Sequence, residues 1–145
     1  MIIMIEYSKA KLARAARKHG LKFVILHGSY ATERIHKGSD LDIAVLGKQE
    51  LTSDGELQLY SEFAEIFGDN PRRELDLKTL HKVDSLFRYE VVREGLLLYG
   101  NPTEYEQFKA VGYRTYEDAR PLRELERMLS EKYQRHLNAI SSGYA

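Results

Sequence analysis

Residues 22–46 read KFVILHGSYATERIHKGSDLDIAVL, two apolar runs joined by a polar loop. Lys22–His27 and Leu41–Leu46 are short, rich in β-branched residues and closed by Gly28 and Gly47, the pattern of buried strands that end at turns. The first strand therefore delivers a Gly28-Ser29 pair to its C-terminal end. The second opens on Asp40-Leu41-Asp42, with ten residues between Ser29 and Asp40. Because side chains alternate along a strand, Asp40 and Asp42 point one way while Leu41 and Ile43 face the core.

Outward from this segment, helical and strand patterns alternate. Ser8 is placed to cap a helix running to His19, with Leu12, Ala13, Ala15 and Ala16 inward and Gly20 at its stop. The other side of that helix carries Lys9, Lys11, Arg14, Arg17 and Lys18, with Lys22 just beyond. With no acid among them they form a solvated face or a phosphate-attracting one. Ser53 and Glu56 read as a capping box for a helix over 54–67. Arg73–Thr79 alternates polar and apolar residues with period two, predicting a third strand. Asp84 or Ser85 opens a helix that Gly95 closes, Leu96–Tyr99 gives one more strand, and Gly100-Asn101-Pro102 a turn. From Tyr116 onward Leu122, Leu125, Leu129, Tyr133, Leu137 and Ile140 recur every three or four residues, predicting one long amphipathic helix with Pro121 at its first turn or a kink. That stripe must bury itself against this domain or a partner. The alternation assigns the chain to the mixed α/β (α+β) class.

A length of 145 residues with 43% hydrophobic content suits one compact core. Twenty-two basic and 22 acidic residues leave a formal net charge of zero, so no overall field draws the chain to nucleic acid or an anionic membrane. The absence of cysteine excludes disulfides, thiolate zinc sites and a cysteine nucleophile, and fits a reducing cytoplasm. Metals remain available to oxygen ligands. The opening Met1-Ile2-Ile3-Met4-Ile5 stops at Glu6, far short of the ~20 apolar residues of a membrane span and without the basic lead of a signal peptide. A soluble, cytoplasmic protein is expected.

Two carboxylates on one exposed face repel unless a cation neutralises them. Hard oxygen donors without histidine favour magnesium or manganese, and magnesium completes its shell with water and substrate phosphates. Gly28 permits close backbone approach, and Ser29 adds a hydroxyl where a helix can start, a geometry suited to phosphate oxygens. Taken separately, Gly-Ser and Asp-x-Asp more often have structural readings. Two metal ions need ligands from more than one direction, so a third carboxylate is expected from a neighbouring strand. Asp76 is the candidate. Glu74 ranks second, being nearer the strand's start and longer. On a lone strand Glu74, Asp76 and Lys78 would read as a solvent-facing polar stripe, and the upstream motif shifts the balance toward metal binding by the carboxylate. His27 reads as a hydrogen-bonded histidine at a strand end.

Gly28-Ser29, ten residues, Asp40-Leu41-Asp42 and a later strand aspartate, Asp76, resemble the nucleotidyltransferase superfamily whose core is like that of DNA polymerase beta. The length is similar to that of its minimal members, the MNT proteins, many of which are antitoxins paired with a HEPN-domain toxin. Arg88–Tyr99 and Tyr116–Leu122 resemble that family too, so the likeness runs over most of the chain from Phe23 onward. One departure is Thr32-Glu33, where many relatives carry Arg-Gly. Arg34 or Lys37 is then the nearest substitute for that arginine's phosphate contact.

The resemblance implies a nucleotidyltransferase fold, a small mixed sheet flanked by helices with a C-terminal helical extension. Residues 1–145 would be a single domain, with a catalytic core over 1–100 and the extension over 102–142. It implies ATP as substrate and two Mg2+ ions, with Mn2+ an alternative, held by Asp40, Asp42 and Asp76 as metal ligands and catalytic residues. Gly28 and Ser29 would bind the nucleotide. The partner it implies is a cognate HEPN RNase toxin, whose tyrosine hydroxyl would accept AMP, with no membrane and no direct nucleic-acid contact. The alternatives are transfer to a small hydroxylated, aminoglycoside-like molecule, and a non-catalytic antitoxin that neutralises by binding.

Overall fold

The computed structural model describes residues 5–143, so the N-terminal apolar run, Ile5 excepted, lies outside the described residues. In chain order the elements are α1 (Lys9–Lys18), β1 (Leu21–His27), α2 (Ser29–Thr32), β2 (Leu41–Gly47) and α3 (Ser53–Phe67). They continue with β3 (Leu75–Thr79), α4 (Ser85–Glu94), β4 (Leu96–Tyr99), α5 (Pro102–Asp118) and α6 (Arg120–Gly143). The sheet is mixed, as expected, with strand order β3-β2-β1-β4. β1 runs antiparallel to both β2 and β4, whereas β2 and β3 are parallel, with α3 as the crossover that a parallel pair requires.

Strand alternation divides the core between two faces. Val24, Leu26, Ile43 and Val45 pack with Leu12, Ala15 and Ala16 of α1 and Leu59, Phe63 and Phe67 of α3. Phe23, Ile25, Ala44 and Leu46 pack on the other side with Val91 and Val92 of α4 and Tyr105 of α5. The central strands β1 and β2 are therefore apolar on both faces, which explains their unbroken hydrophobic runs. Tyr105, whose hydroxyl donates to Val92 O at 3.0 Å, ties α5 to α4.

Local chemistry sets the ends. Ser8 caps α1 by accepting from Lys11 N–H at 3.2 Å, and Asp84 caps α4 by accepting from Phe87 N–H at 2.8 Å. The expected capping box at Ser53 and Glu56 is corrected. Thr52 is the cap, accepting from Gly55 N–H at 3.0 Å, while Glu56 pairs with Lys82 at 2.6 Å. β3 is shorter than expected, because Arg73 closes an isolated bridge with Asn70 instead of joining the ladder. The single long C-terminal helix is two helices. The chain breaks at Ala119, and Pro121 falls in the first turn of α6, where its missing N–H leaves no hydrogen bond unmade.

The stripe on α6 is not buried: Leu125, Leu129, Tyr133 and Leu137 are between 39% and 63% exposed. The junction of α5 and α6 is held by a stack instead. Arg123 lies 3.6 Å over the Tyr116 ring, and Tyr116 stacks on Tyr89 of α4 at 4.4 Å.

Glu33, at the end of α2, has φ 60, the left-handed conformation that glycine adopts without a Cβ penalty. It occupies the second position of the Thr-Glu pair that departs from Arg-Gly. Glu33→Gly is expected to stabilise the fold by roughly 0.5–1 kcal/mol in urea unfolding, the relief of strain exceeding the entropy gained by the unfolded chain.

Candidate active site

The motif folds as a strand, a tight turn, one helical turn and a second strand. Gly28 has φ 71 and ψ −151, a region open essentially to glycine alone, and its carbonyl accepts from Ala31 N–H and Thr32 N–H at 3.1 and 3.2 Å. Thr32 Oγ1 also donates to Gly28 O, at 3.1 Å. Ser29 thus begins α2, half-buried at the end of β1. The loop that follows is drawn back by Ser39, which is buried. Its Oγ accepts from His36 N–H at 2.9 Å, and its own N–H donates to His36 O at 3.0 Å. This turn sets Asp40 exposed at the entrance to β2.

Pairing then brings the candidate residues together. Asp42 is the cross-strand partner of His27 on one side and of Asp76 on the other. Residues opposite one another in a sheet share a face, so His27, Asp42 and Asp76 form a row on the side covered by α4. Phe87 of α4 meets the His27 ring edge-on at 6.0 Å. Leu41 N–H donates to Glu74 O at 2.8 Å, which locks the start of β2 to β3. Glu74 itself is exposed just before β3, outside the ladder.

A carboxylate held in such a row does not keep its ordinary pKa. Burial, then the charge of Asp76 and a hydrogen bond with it, then the charge of Asp40, raise Asp42 to about 6, while Lys78 pulls the other way. Asp42 also leans over the turn: a Cβ on Gly28 would lie 2.1 Å from Asp42 Oδ2. The bare glycine makes the cradle in which the carboxylate sits. Burial pushes His27 down to about 4, opposed by Asp76 and reinforced by Lys78. His27 is only 8% exposed, and its Nε2 has no hydrogen-bond partner among the described residues, which corrects the expected hydrogen-bonded histidine.

The donor set suits a hard divalent cation: carboxylate oxygens, partly unneutralised, at an exposed sheet end with a glycine-lined turn beside it. Among the described residues no three histidine, aspartate or glutamate side chains are gathered tightly enough to enclose an ion by themselves. Asp40 and Asp42 come from one strand entrance, while Asp76 Oδ1 is engaged by Lys78 Nζ at 3.4 Å. Such an arrangement leaves coordination positions for phosphate and water. Arg34 and Lys37, either of which was expected to stand in for the missing motif arginine, are both exposed and make no ion pair among the described residues. Sequence reasoning passed over Ser39, the partnerless His27 and Lys78 as parts of the site. Only for Lys78 did a signal exist, its period-two spacing from Asp76.

Two outcomes follow from this geometry. Gly28→Ala is expected to destabilise the protein by about 3 kcal/mol, combining a glycine-only backbone with a collision against Asp42. In metal-free protein Asp42 gains a proton more readily folded than unfolded, so its contribution to stability is present at low pH and is lost as pH rises from about 4 through about 6. Asp42→Asn is therefore expected to raise stability at pH 7.5 by about 1 kcal/mol, after discounting for solvent screening, and to leave it unchanged at pH 4, as read from urea melts in EDTA.

Residues 10–104 match the family model described as Polymerase beta, Nucleotidyltransferase. No curated protein matches the chain. Among solved structures, a toxin-antitoxin complex with AMP-PNP is 25% identical with a TM-score of 0.65, over 81% of this chain and 93% of that one. The fold is shared by a complex of tri-AMPylated Shewanella oneidensis HEPN toxin with MNT antitoxin, at 24% identity and TM-score 0.60, over 80% of this chain and 89% of that one. It is shared equally by the toxin-antitoxin pair MntA-HepT, at 23% identity and TM-score 0.60, over 80% and 90% of the two chains. With the family model spanning the sheet, the motif and the third aspartate strand, the chain belongs to the polymerase beta nucleotidyltransferase family.

Proposed function

We propose that this protein is an MNT-type antitoxin that transfers AMP from ATP to a tyrosine hydroxyl of a cognate HEPN RNase toxin in the cytoplasm, and so silences it. The observation that carries the reading is the pairing of Asp42 with Asp76 on adjoining parallel strands, with Asp40 at the entrance to β2 and the cradle of Gly28 beside them. The solved toxin-antitoxin complexes of this fold, one of them bearing an AMPylated toxin, support the choice of partner and of transferred group.

Asp40, Asp42 and Asp76 would hold two Mg2+ ions, or Mn2+, which when bound neutralise the triphosphate and lower the pKa of the attacking hydroxyl. Gly28 admits the phosphates close to the backbone, and Ser29 offers its hydroxyl to a phosphate oxygen. Asp76 receives the tyrosine proton. The bond from tyrosine oxygen to the α-phosphorus forms as the bond to the departing pyrophosphate breaks, so catalysis is mainly positioning and charge neutralisation. An AMP group adds bulk and negative charge at the toxin, which blocks an RNase site without permanent occlusion.

The described cavities support a macromolecular acceptor over a small one. One of about 580 Å3 lies at the opposite end of the sheet, lined by Lys9, Lys22, Lys48 and Asn101, and contains no motif residue. The motif end is open instead, with Asp40 exposed and Asp76 partly so. In this reading residues 1–100 act as the catalytic core, and 102–142 as an extension whose unburied stripe meets the toxin. Among the described residues no helix is long and apolar enough to cross a membrane. The exposed stripe also favours a second reading, neutralisation by contact alone.

Intact-mass spectrometry of the HEPN toxin after incubation with this protein, ATP and Mg2+ separates the two. The transferase reading expects mass gains in AMP-sized steps that vanish with the Asp40→Asn, Asp42→Asn double variant. A stable complex with no mass gain, and neutralisation that survives the double variant, would sink it in favour of contact alone.

A further inference from the structure

Lys78 is the one basic side chain among the described residues within ion-pair distance of a motif carboxylate. It stands two residues beyond Asp76 on β3, so both project from the same face. Its cross-strand neighbour on β2 is Ala44, whose single methyl leaves the lysine stem room beside the core. The ammonium reaches back to Asp76 Oδ1 at 3.4 Å and lies 5.9 Å from the Phe87 ring centroid, so its two fixed neighbours are a carboxylate and a π face. Both members of the pair are about 40% exposed, Lys78 at 40% and Asp76 at 39%. The ammonium is thus free to swing into water on its four-carbon stem.

Resting on the two-metal reading above, we propose that Lys78 is the resident counter-cation of Asp76, and that the ion shared with Asp76 binds only by displacing it. A carboxylate oxygen engaged by an ammonium cannot accept a divalent cation at coordination distance without bringing two like charges together. Asp40 and Asp42 carry no such partner among the described residues. Their ion therefore loads first, and the ion shared with Asp76 is the weaker. Lys78 sets this inequality through charge, so an arginine in its place preserves it and a neutral side chain of similar length removes it. In the absence of metal the same lysine offsets part of the repulsion between Asp76 and Asp42, so the row is held together by a protein cation until divalent ions replace it.

The test is a Mn2+ titration followed by electron paramagnetic resonance, in the presence of α,β-methylene-ATP, whose bridging carbon blocks transfer. Wild-type protein is expected to bind two ions unequally. Lys78→Met should tighten the weaker event by about tenfold, Lys78→Arg should leave it as in the wild type, and Asp76→Asn should abolish it. Circular dichroism melts establish that each variant is folded, with Lys78→Gln as the replacement should the methionine variant fail. An isotherm unchanged in Lys78→Met overturns the proposal while leaving the metal reading intact. So does a Lys78→Met variant that loses affinity for the analogue, since Lys78 would then be a phosphate ligand. Wild-type protein that takes up no Mn2+ with the analogue bound overturns the two-metal reading and this inference together.

Discussion

The parallel pairing of β2 with β3 is the constraint on which the candidate site depends. Leu41 opposite Leu75 and Ile43 opposite Leu77 place apolar side chains on the α1 and α3 face, and the same register sets Asp42 opposite Asp76 on the other. A slip of one residue would turn Leu75 out of the core and Asp76 into it, so burial of the leucines fixes the position of the aspartates. Two carboxylates side by side repel, and the charge of Asp76 adds to burial, the larger cause, in raising the pKa of Asp42. Hydrophobic register holds together two charges that would otherwise separate.

His27 and Asp42, partners across β1 and β2, respond to pH in opposite directions. His27 is depressed below its ordinary range, so the stability it contributes as a neutral ring is lost as pH falls from about 6.5 through about 4. Asp42 is raised, and over the same interval its effect has the reverse sign. Their contributions to folding therefore oppose one another in mildly acidic solution, while Asp42 itself still takes up its proton there. Both shifts have burial as their leading cause, and at His27 the edge-on Phe87 ring of α4 is part of that enclosure.

Much of this was readable in the sequence because it is local. Ser8 and Asp84 cap helices within three residues of themselves, and the apolar runs of β1 and β2 announce strands buried on both sides. Asp40, Asp42 and Asp76 stood out through spacing and alternation, and the structure sets Asp42 beside Asp76. What could not be read is what depends on distant partners. Glu56 leaves the capping box for Lys82, and Thr52 takes the cap instead. The break at Ala119 is bridged by the Arg123, Tyr116 and Tyr89 stack, which draws on both C-terminal helices and α4. His27 has the sequence of any strand-end histidine, and only the fold shows that its Nε2 is enclosed without a partner.

The strand order carries a consequence for how the chain must be made. β4 is the last strand to leave the ribosome and yet lies against β1, the first, with β2 and β3 on the other flank. Until Leu96–Tyr99 emerges, one edge of an entirely apolar strand, Phe23 to Leu26, stands open on a nascent chain whose hairpin with β2 is already able to form. Unpaired edges of this kind recruit other strands and promote aggregation. β4 covers that edge with only four residues and becomes the edge strand in its place, so the exposed run is shortened from seven residues to four.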